Sequence, residues 1–329
     1  MNQCLKWIVR IAAMGFAGLL SAAALAQGYP TKQVTLFLGL GPGSGLDIAA
    51  RILADRLTQN FGRPFVVENK PGGAQIVTTN ALIGAPADGH ALMVVTSGPV
   101  AINPSMFKSL PYDAERDFIP IALYVKSPFV LIVDPALPIR SVPELVEYAK
   151  ARQGKLSYSS PSVGGAPHLS MAMVNQRYGL DIAHIVYKST SQGILDVASG
   201  TVQMAFAEAG ASLSLIKAGK LRALAVSSTT RFATLPDIPT FAEAANAPEF
   251  EAVSWHVLMA RSGTPREIVN RLHEEMKRIM AVPEVRERIA NLGLIPIDTP
   301  SVEGIQEYIR SEEKKWGGLV RQLGLAGTQ

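Results

Sequence analysis

Cysteine is almost missing from the chain: the one copy among 329 residues is Cys4, near the start. Everything after it therefore lacks the means for disulfides, thiolate metal sites or a cysteine nucleophile. Aromatic residues are sparse, at 7%. The five histidines, His90, His168, His184, His256 and His273, fall in no metal-ligand spacing. No Gly-x-Ser-x-Gly elbow occurs. Basic residues are not gathered into runs with interleaved aromatics, which argues against nucleic acid as a partner. No cofactor is expected.

The first residues carry a different signal. Met1–Arg10 contains Lys6 and Arg10 and no acid, Ile11–Leu25 is apolar, and Ala24-Leu25-Ala26 fits a small-x-small cleavage site. Residues 1–26 are predicted to be a secretory signal peptide, too short for a membrane span and without a stop signal. Cys4 lies inside it, far from the cleavage site, and is a poor lipid anchor. Without this segment 29 basic residues face 27 acidic ones, about +2. A cysteine-free exported chain of this size suits the periplasm of a Gram-negative cell, where a large core needs no covalent staples.

The stretch Gly39-Leu-Gly-Pro-Gly-Ser-Gly-Leu-Asp47 follows the apolar run Val34–Leu38 and precedes the amphipathic run Ile48–Leu57. Strand, glycine-rich turn and helix is the local reading. Such a turn hands unpaired N–H groups and a helix dipole to an anion. It lacks the third glycine of a dinucleotide fingerprint and the lysine of a phosphate-binding P-loop, so a small anion is the expected ligand.

Beyond it, strand-like and helix-like segments alternate. Phe65–Asn69, Ala91–Thr96, Phe118–Val125 and Phe129–Val133 read as strands, and the same order restarts after Lys126. That order predicts an α/β fold of two lobes, each a mostly parallel sheet flanked by helices, with a cleft between them. The lobes are placed at 27–126 plus 231–329 and at 127–230, with crossings near Lys126 and Ser228–Phe232. Four small-residue loops, Gly39–Asp47, Ser97–Ile102, Ser159–His168 and Lys188–Gly193, each follow a strand. Loops at the carboxyl ends of strands are where ligands bind in open α/β sheets, and hinge closure between lobes would bury a solute. Ser97 belongs to this set. Glu208 is the acid at a strand end among the cleft loops, where receipt of a ligand amine or hydroxyl and a solvated edge position are both open. His168 opens a helix after a glycine-rich loop, where ligand contact and a structural role are both open.

The whole mature stretch resembles the Bug-type extracytoplasmic solute receptors, the substrate-binding proteins of tripartite tricarboxylate transporters. The resemblance rests on Gly43-Ser-Gly-Leu-Asp-Ile-Ala-Ala-Arg51, Val66-Val-Glu-Asn-Lys-Pro-Gly72, Leu110-Pro-Tyr-Asp113, Ala218–Val226, Leu235–Thr240 and Gly263-Thr-Pro265 in order. It implies a two-lobed, type II-like periplasmic binding protein that closes on a small carboxylate and delivers it to an integral membrane permease. It nominates Gly43, Ser44, Gly45 and Asp47 on one lobe and Ser160, Gly164, His168 and Ser189 on the other as ligand-binding residues. Asp47 is alternatively a brace for the loop, since two like charges repel. The chain departs from the family pattern at Leu40–Gly45, at Tyr187-Lys188-Ser189, at Gln192-Gly193 and at Phe206-Ala207-Glu208. A ligand sensor working with a sensor kinase is an alternative with an identical cleft. An exported hydrolase or lyase using His168 or Glu208 is the weaker one, because no nucleophile–base pair or metal set is visible.

Overall fold

A computed structural model describes residues 28–329 except Lys188. The expected signal peptide at 1–26, with Cys4, lies outside the described residues, as does Lys188 of the fourth loop. The strands are β1 Val34–Leu38, β2 Phe65–Asn69, β3 Ala91–Thr96, β4 Phe118–Val133, β5 Leu156–Ser160, β6 Ile182–Val186, β7 Met204–Glu208, β8 Arg222–Val226, β9 Val253–Arg261 and β10 Ile295–Pro296. The helices are α1 Gly45–Phe61, α2 Ile76–Gly84, α3 Asn103–Met106, α4 Val142–Lys150, α5 Ala166–Tyr178, α6 Thr190–Ala198, α7 Ala209–Lys217, α8 Phe241–Ala244, α9 Arg266–Ala281, α10 Pro283–Ala290 and α11 Val302–Gln322.

The strands form one curled path in the order β2-β1-β3-β9-β4-β7-β5-β6, with β8 and β10 also paired to β4. The outer strands are parallel, as βαβ connections require: β1 with β2 and β3, and β5 with β6 and β7. Every antiparallel pair involves β4 or β9. These two strands carry the chain between the lobes, one outward and one back, so they run in opposite directions.

β4 is one continuous strand of 16 residues, where the sequence suggests two. Its first half pairs with β9 as far as Pro128↔Val253. From Phe129 onward it pairs with β7, and from Val130 with β8. Lys126-Ser-Pro128 reads as a break in the sequence because it is polar and ends in proline. In the fold, Lys126 is paired to Glu251 at 2.7 Å and Ser127 is buried. Proline, lacking a donor, is tolerated where the strand changes partners. On the way back, the Ser227 N–H donates to the Phe129 carbonyl and the Ala252 N–H to the Ser227 carbonyl. The segment after the return crossing expected near Ser228–Phe232 thus stays bonded to the second sheet up to Ala252, and β9 enters the first.

The helices pack apolar faces on the sheets. On α9, Ile268, Val269, Leu272, Met276 and Ile279 point inward, each worth about 1.5–3 kcal/mol when fully buried. They meet Leu36, Leu53 and Tyr124 in the core of the first lobe. Behind the crossing strands, the buried Glu312 carboxylate of α11 accepts from the indole N–H groups of Trp255 and Trp316, both at 3.0 Å. α11 is thereby fixed to β9.

Candidate functional site

The first glycine loop is built from Ser44 and Asp47. Ser44 is the N-cap of α1, and its Oγ accepts the Asp47 N–H at 3.1 Å. The Asp47 carboxylate turns back and accepts the Gly43 N–H at 3.0 Å. It also accepts from Arg51 Nη2 at 2.9 Å and Asn69 Nδ2 at 2.9 Å. Gly43 has φ +81°, which only glycine adopts cheaply. Burial works to raise the Asp47 pKa, but hydrogen bonds from Arg51, Gly43 and Asn69 outweigh it and hold the carboxyl below its usual range. Asp47 is thus a brace and uses up the Gly43 N–H. The N–H groups of Ser44, Gly45 and Leu46 have no partner among the described residues and open the helix.

A neighbouring segment strengthens this end of the sheet. Ala74 and Gln75 have φ +51° and +69°. This unusual backbone is pinned by Asn103 Nδ2, which donates to the Ala74 carbonyl at 3.0 Å. Gln75 then clamps the end of β3. Its Nε2 donates to Thr96 Oγ1 at 2.6 Å and its Oε1 accepts the Thr96 N–H at 3.2 Å. A Cβ on Gly39 would lie 2.2 Å from Gln75 Oε1, so the glycine at 39 is required by this clamp. Ser97 is buried, and its Oγ shares a hydrogen bond of 3.1 Å with Ser254 Oγ on β9.

In the second lobe, a pocket is lined by Ser159, Ser160, Tyr187, Ser189, Thr190 and Gly193, with Ala205–Ala207 of β7 beside them. It lies at the N-terminus of α6. Ser189 is the N-cap there, with an exposed side chain and no capping hydrogen bond. The N–H groups of Thr190, Ser191 and Gln192 have no partner among the described residues. Tyr187 Oη donates to Asp196 at 2.8 Å, fixing that wall.

Ser160 and His168 are both buried and both engaged. Ser160 Oγ donates to the Ser162 carbonyl at 3.0 Å and contacts His184 Nε2 at 2.7 Å. With its proton given to the carbonyl, the hydroxyl is placed to accept from the ring. His168 Nδ1 accepts the Gly164 N–H at 2.8 Å. Its ring stacks on His184 at 4.1 Å, and Tyr158 packs against both rings, 5.0 Å from His184 and 6.1 Å from His168. Burial, with the His184 ring beside it, pushes the His168 pKa down to about 4, so the ring is neutral near pH 7. Gly164, at φ +73°, closes the gap to the first lobe: a Cβ there would sit 2.3 Å from Met106 Cε of α3.

Glu208 ends β7 opposite Phe129, where β4 passes between the lobes. By area its side chain is exposed, yet the surrounding protein desolvates the carboxyl group itself, and this desolvation raises its pKa. Among the described residues no group of three or more His, Cys, Asp or Glu is placed to hold a metal ion, and no helix is long and apolar enough to cross a membrane.

Residues 49–325 match the model of the tripartite tricarboxylate transporter family receptor. The chain belongs to that family. Protein BugT of Bordetella pertussis is 32% identical over 316 residues, 95% of this chain and 95% of that one. A protein from the tcbD-tcbE intergenic region of Pseudomonas sp. strain P51 is 32% identical over 92% of this chain and 89% of its own length. Among solved structures, R. palustris Rpa4515 with adipate superposes with a TM-score of 0.82 at 31% identity, covering 91% of this chain and 99% of that one. Periplasmic binding protein BugD gives 0.77 at 29% identity, with the same coverage. The fold is accordingly the two-lobed α/β architecture of these binding proteins.

In this receptor the loops named from the sequence are held in place by residues that the sequence reading did not name. Gln75, Thr96 and Asn69 hold the first-lobe loops, and Tyr187, Thr190 and Gly193 line the second-lobe pocket. Asn69 lies inside a stretch that carries the family resemblance, and the paired Gly72-Gly73 was the available signal for Gln75. Nothing in the order of residues placed Leu292–Leu294 at the cleft. Yet a Cβ on Gly45 would meet Leu294 Cδ1 at 3.9 Å, and one on Gly210 would meet the Leu292 carbonyl at 2.9 Å.

Proposed function

We propose that this receptor captures a small carboxylated solute by hinge closure and delivers it to the integral membrane permease of a tripartite tricarboxylate-type transporter. One observation carries the reading. Two helices, α1 and α6, one from each lobe, begin at small-residue loops at the carboxyl ends of strands, with first-turn N–H groups left unpaired. Such donors hold a carboxylate without a formal positive charge. A structural relative 31% identical carries adipate, which supports a carboxylate as the ligand class.

The binding set in this proposal is Gly45 and Ser44 on the first lobe, and Ser189 with Ser160 on the second. Gly43 and Asp47 shape the first loop, while Gly164 and His168 set the second against Met106. Ser97 supports the end of β3. The division 27–126 plus 231–329 against 127–230 belongs to the same proposal, with residues 227–252 bonded to the second sheet. The protein works in the periplasm after export, and it binds without catalysis.

The test is Ser44→Asp. Aspartate is as good an N-cap as serine, so α1 is kept while a negative charge enters the anion site. A thermal-shift screen of the mature protein against small carboxylic acids, with the matching amides as controls, reads binding by mass action. Acids are expected to raise the Tm of the natural protein and not of the variant. Acid binding retained by the variant would refute the role given to the first loop.

A further inference from the structure

The carboxylate-binding reading leaves the rest of the solute undefined, and Glu208 bears on it. Its side chain reaches the surface at the end of β7, where the surrounding protein desolvates the carboxyl, and the carboxylate forms no hydrogen bond or ion pair with any described residue. Ala207, one residue earlier, lines the second-lobe pocket. The residues just after Glu208 touch the first lobe: a Cβ on Gly293 would lie 2.8 Å from Ala209 Cβ, and one on Gly210 would lie 2.9 Å from the Leu292 carbonyl. Leu294, of the same three-residue stretch, borders Gly45 at the start of α1. Glu208 directly precedes Ala209, so it stands at one end of this three-residue bridge and the free N–H groups of Ser44–Leu46 at the other, with the gap between the lobes alongside.

Among the described residues of these loops, the other acids are already engaged. Asp47 is paired to Arg51, and Asp196 is bonded by Tyr187 and Gln192. The four loops contain no arginine, and their one lysine, Lys188, lies outside the described residues. A solute with carboxylates at both ends would bring its second negative charge toward Glu208. One with an ammonium group would instead pair with it while its carboxylate docks on the helix N-termini.

We propose that Glu208 makes this receptor selective for an amino acid, a solute with one carboxylate and one ammonium group, over a dicarboxylate of the same size. The proposal rests on the carboxylate-binding reading above. It sets this chain apart from its structural relative with adipate.

The experiment is calorimetric titration of the mature protein with four matched probes: butyrate, 2-aminobutyrate, 4-aminobutyrate and succinate. The natural protein is expected to bind one of the amino acids at least tenfold tighter than butyrate or succinate. Glu208→Gln should bring that amino acid down to the affinity of butyrate and improve succinate. Glu208→Ser, which restores a good N-cap for α7, should do the same, which separates the lost charge from any change in folding. Succinate bound as tightly as the amino acids, or an amino acid affinity unmoved by both variants, would overturn the proposal. If Ser44→Asp still abolished binding, the carboxylate reading would stand without it. Silence for all four probes would count against both.

Discussion

Replacing Asp47 by asparagine separates two roles for the first loop. The side chain is 5% exposed, and its carboxylate accepts from Gly43, Asn69 and the fork of Arg51. Asparagine keeps the shape and one acceptor oxygen: placed to accept from Gly43 and Arg51 Nε, it turns its amide toward Arg51 Nη2 and Asn69 Nδ2 and loses both of those bonds. A hydrogen bond to a charged group is worth about 1.5–3 kcal/mol, and at least one is lost outright. The Arg51 side chain is 48% exposed and regains water, so the ion pair itself adds little. The net cost is about 2–3 kcal/mol, or a Tm lower by roughly 4–8 °C for a chain of this size. Solute affinity should fall as well, because the Gly43 turn is no longer tied through residue 47 to Asn69.

The pH dependence of the same variant follows from the depressed Asp47 pKa. The unfolded carboxyl protonates first, so the stabilisation is complete above about pH 4 and disappears as pH falls through the lower folded value. The gap between Asp47→Asn and the natural protein should therefore close in acid. Thermal unfolding followed by circular dichroism from neutral pH downward measures both effects. A neutral-pH Tm within about 1 °C of the natural protein, together with lost solute binding, would refute the brace and make Asp47 a ligand contact.

Two further outcomes are expected. Glu312→Ala strands two buried indole N–H groups, at about 1–3 kcal/mol each, and should lower stability by about 3–5 kcal/mol in urea unfolding; Glu312→Gln should cost much less. His168 stays neutral in the fold down to about pH 4 while its unfolded form protonates near 6.5, so its contribution is full above about pH 6.5 and is lost as pH falls toward 4. His168→Leu should flatten that limb of the stability curve, and an unchanged slope between pH 6.5 and 4 would exclude the buried ring as its source.

The sequence by itself determined the local units of this receptor. Glycine spacing at 39–45, the apolar runs before it and the amphipathic run after it fix a strand, a turn and a capped helix, because backbone freedom and helix capping act over a few residues. The alternation that continues to Val226 fixes an α/β fold of two lobes, and the order of short motifs fixes the family. Tertiary structure decided how these units meet. That Lys126-Ser-Pro128 continues a strand depends on Glu251 and on the change from β9 to β7 and β8 as partners, none of it local. That Asp47 points inward rests on Asn69 and Arg51, and that His168 is neutral rests on burial and its stack with His184. Glu208 and Ser44 lie far apart in the chain, and the proposal that they share a ligand depends on Leu292–Leu294, which touches both Gly210 and Gly45. Charge balance in a cleft is a property of which surfaces face each other, and the order of residues does not carry it.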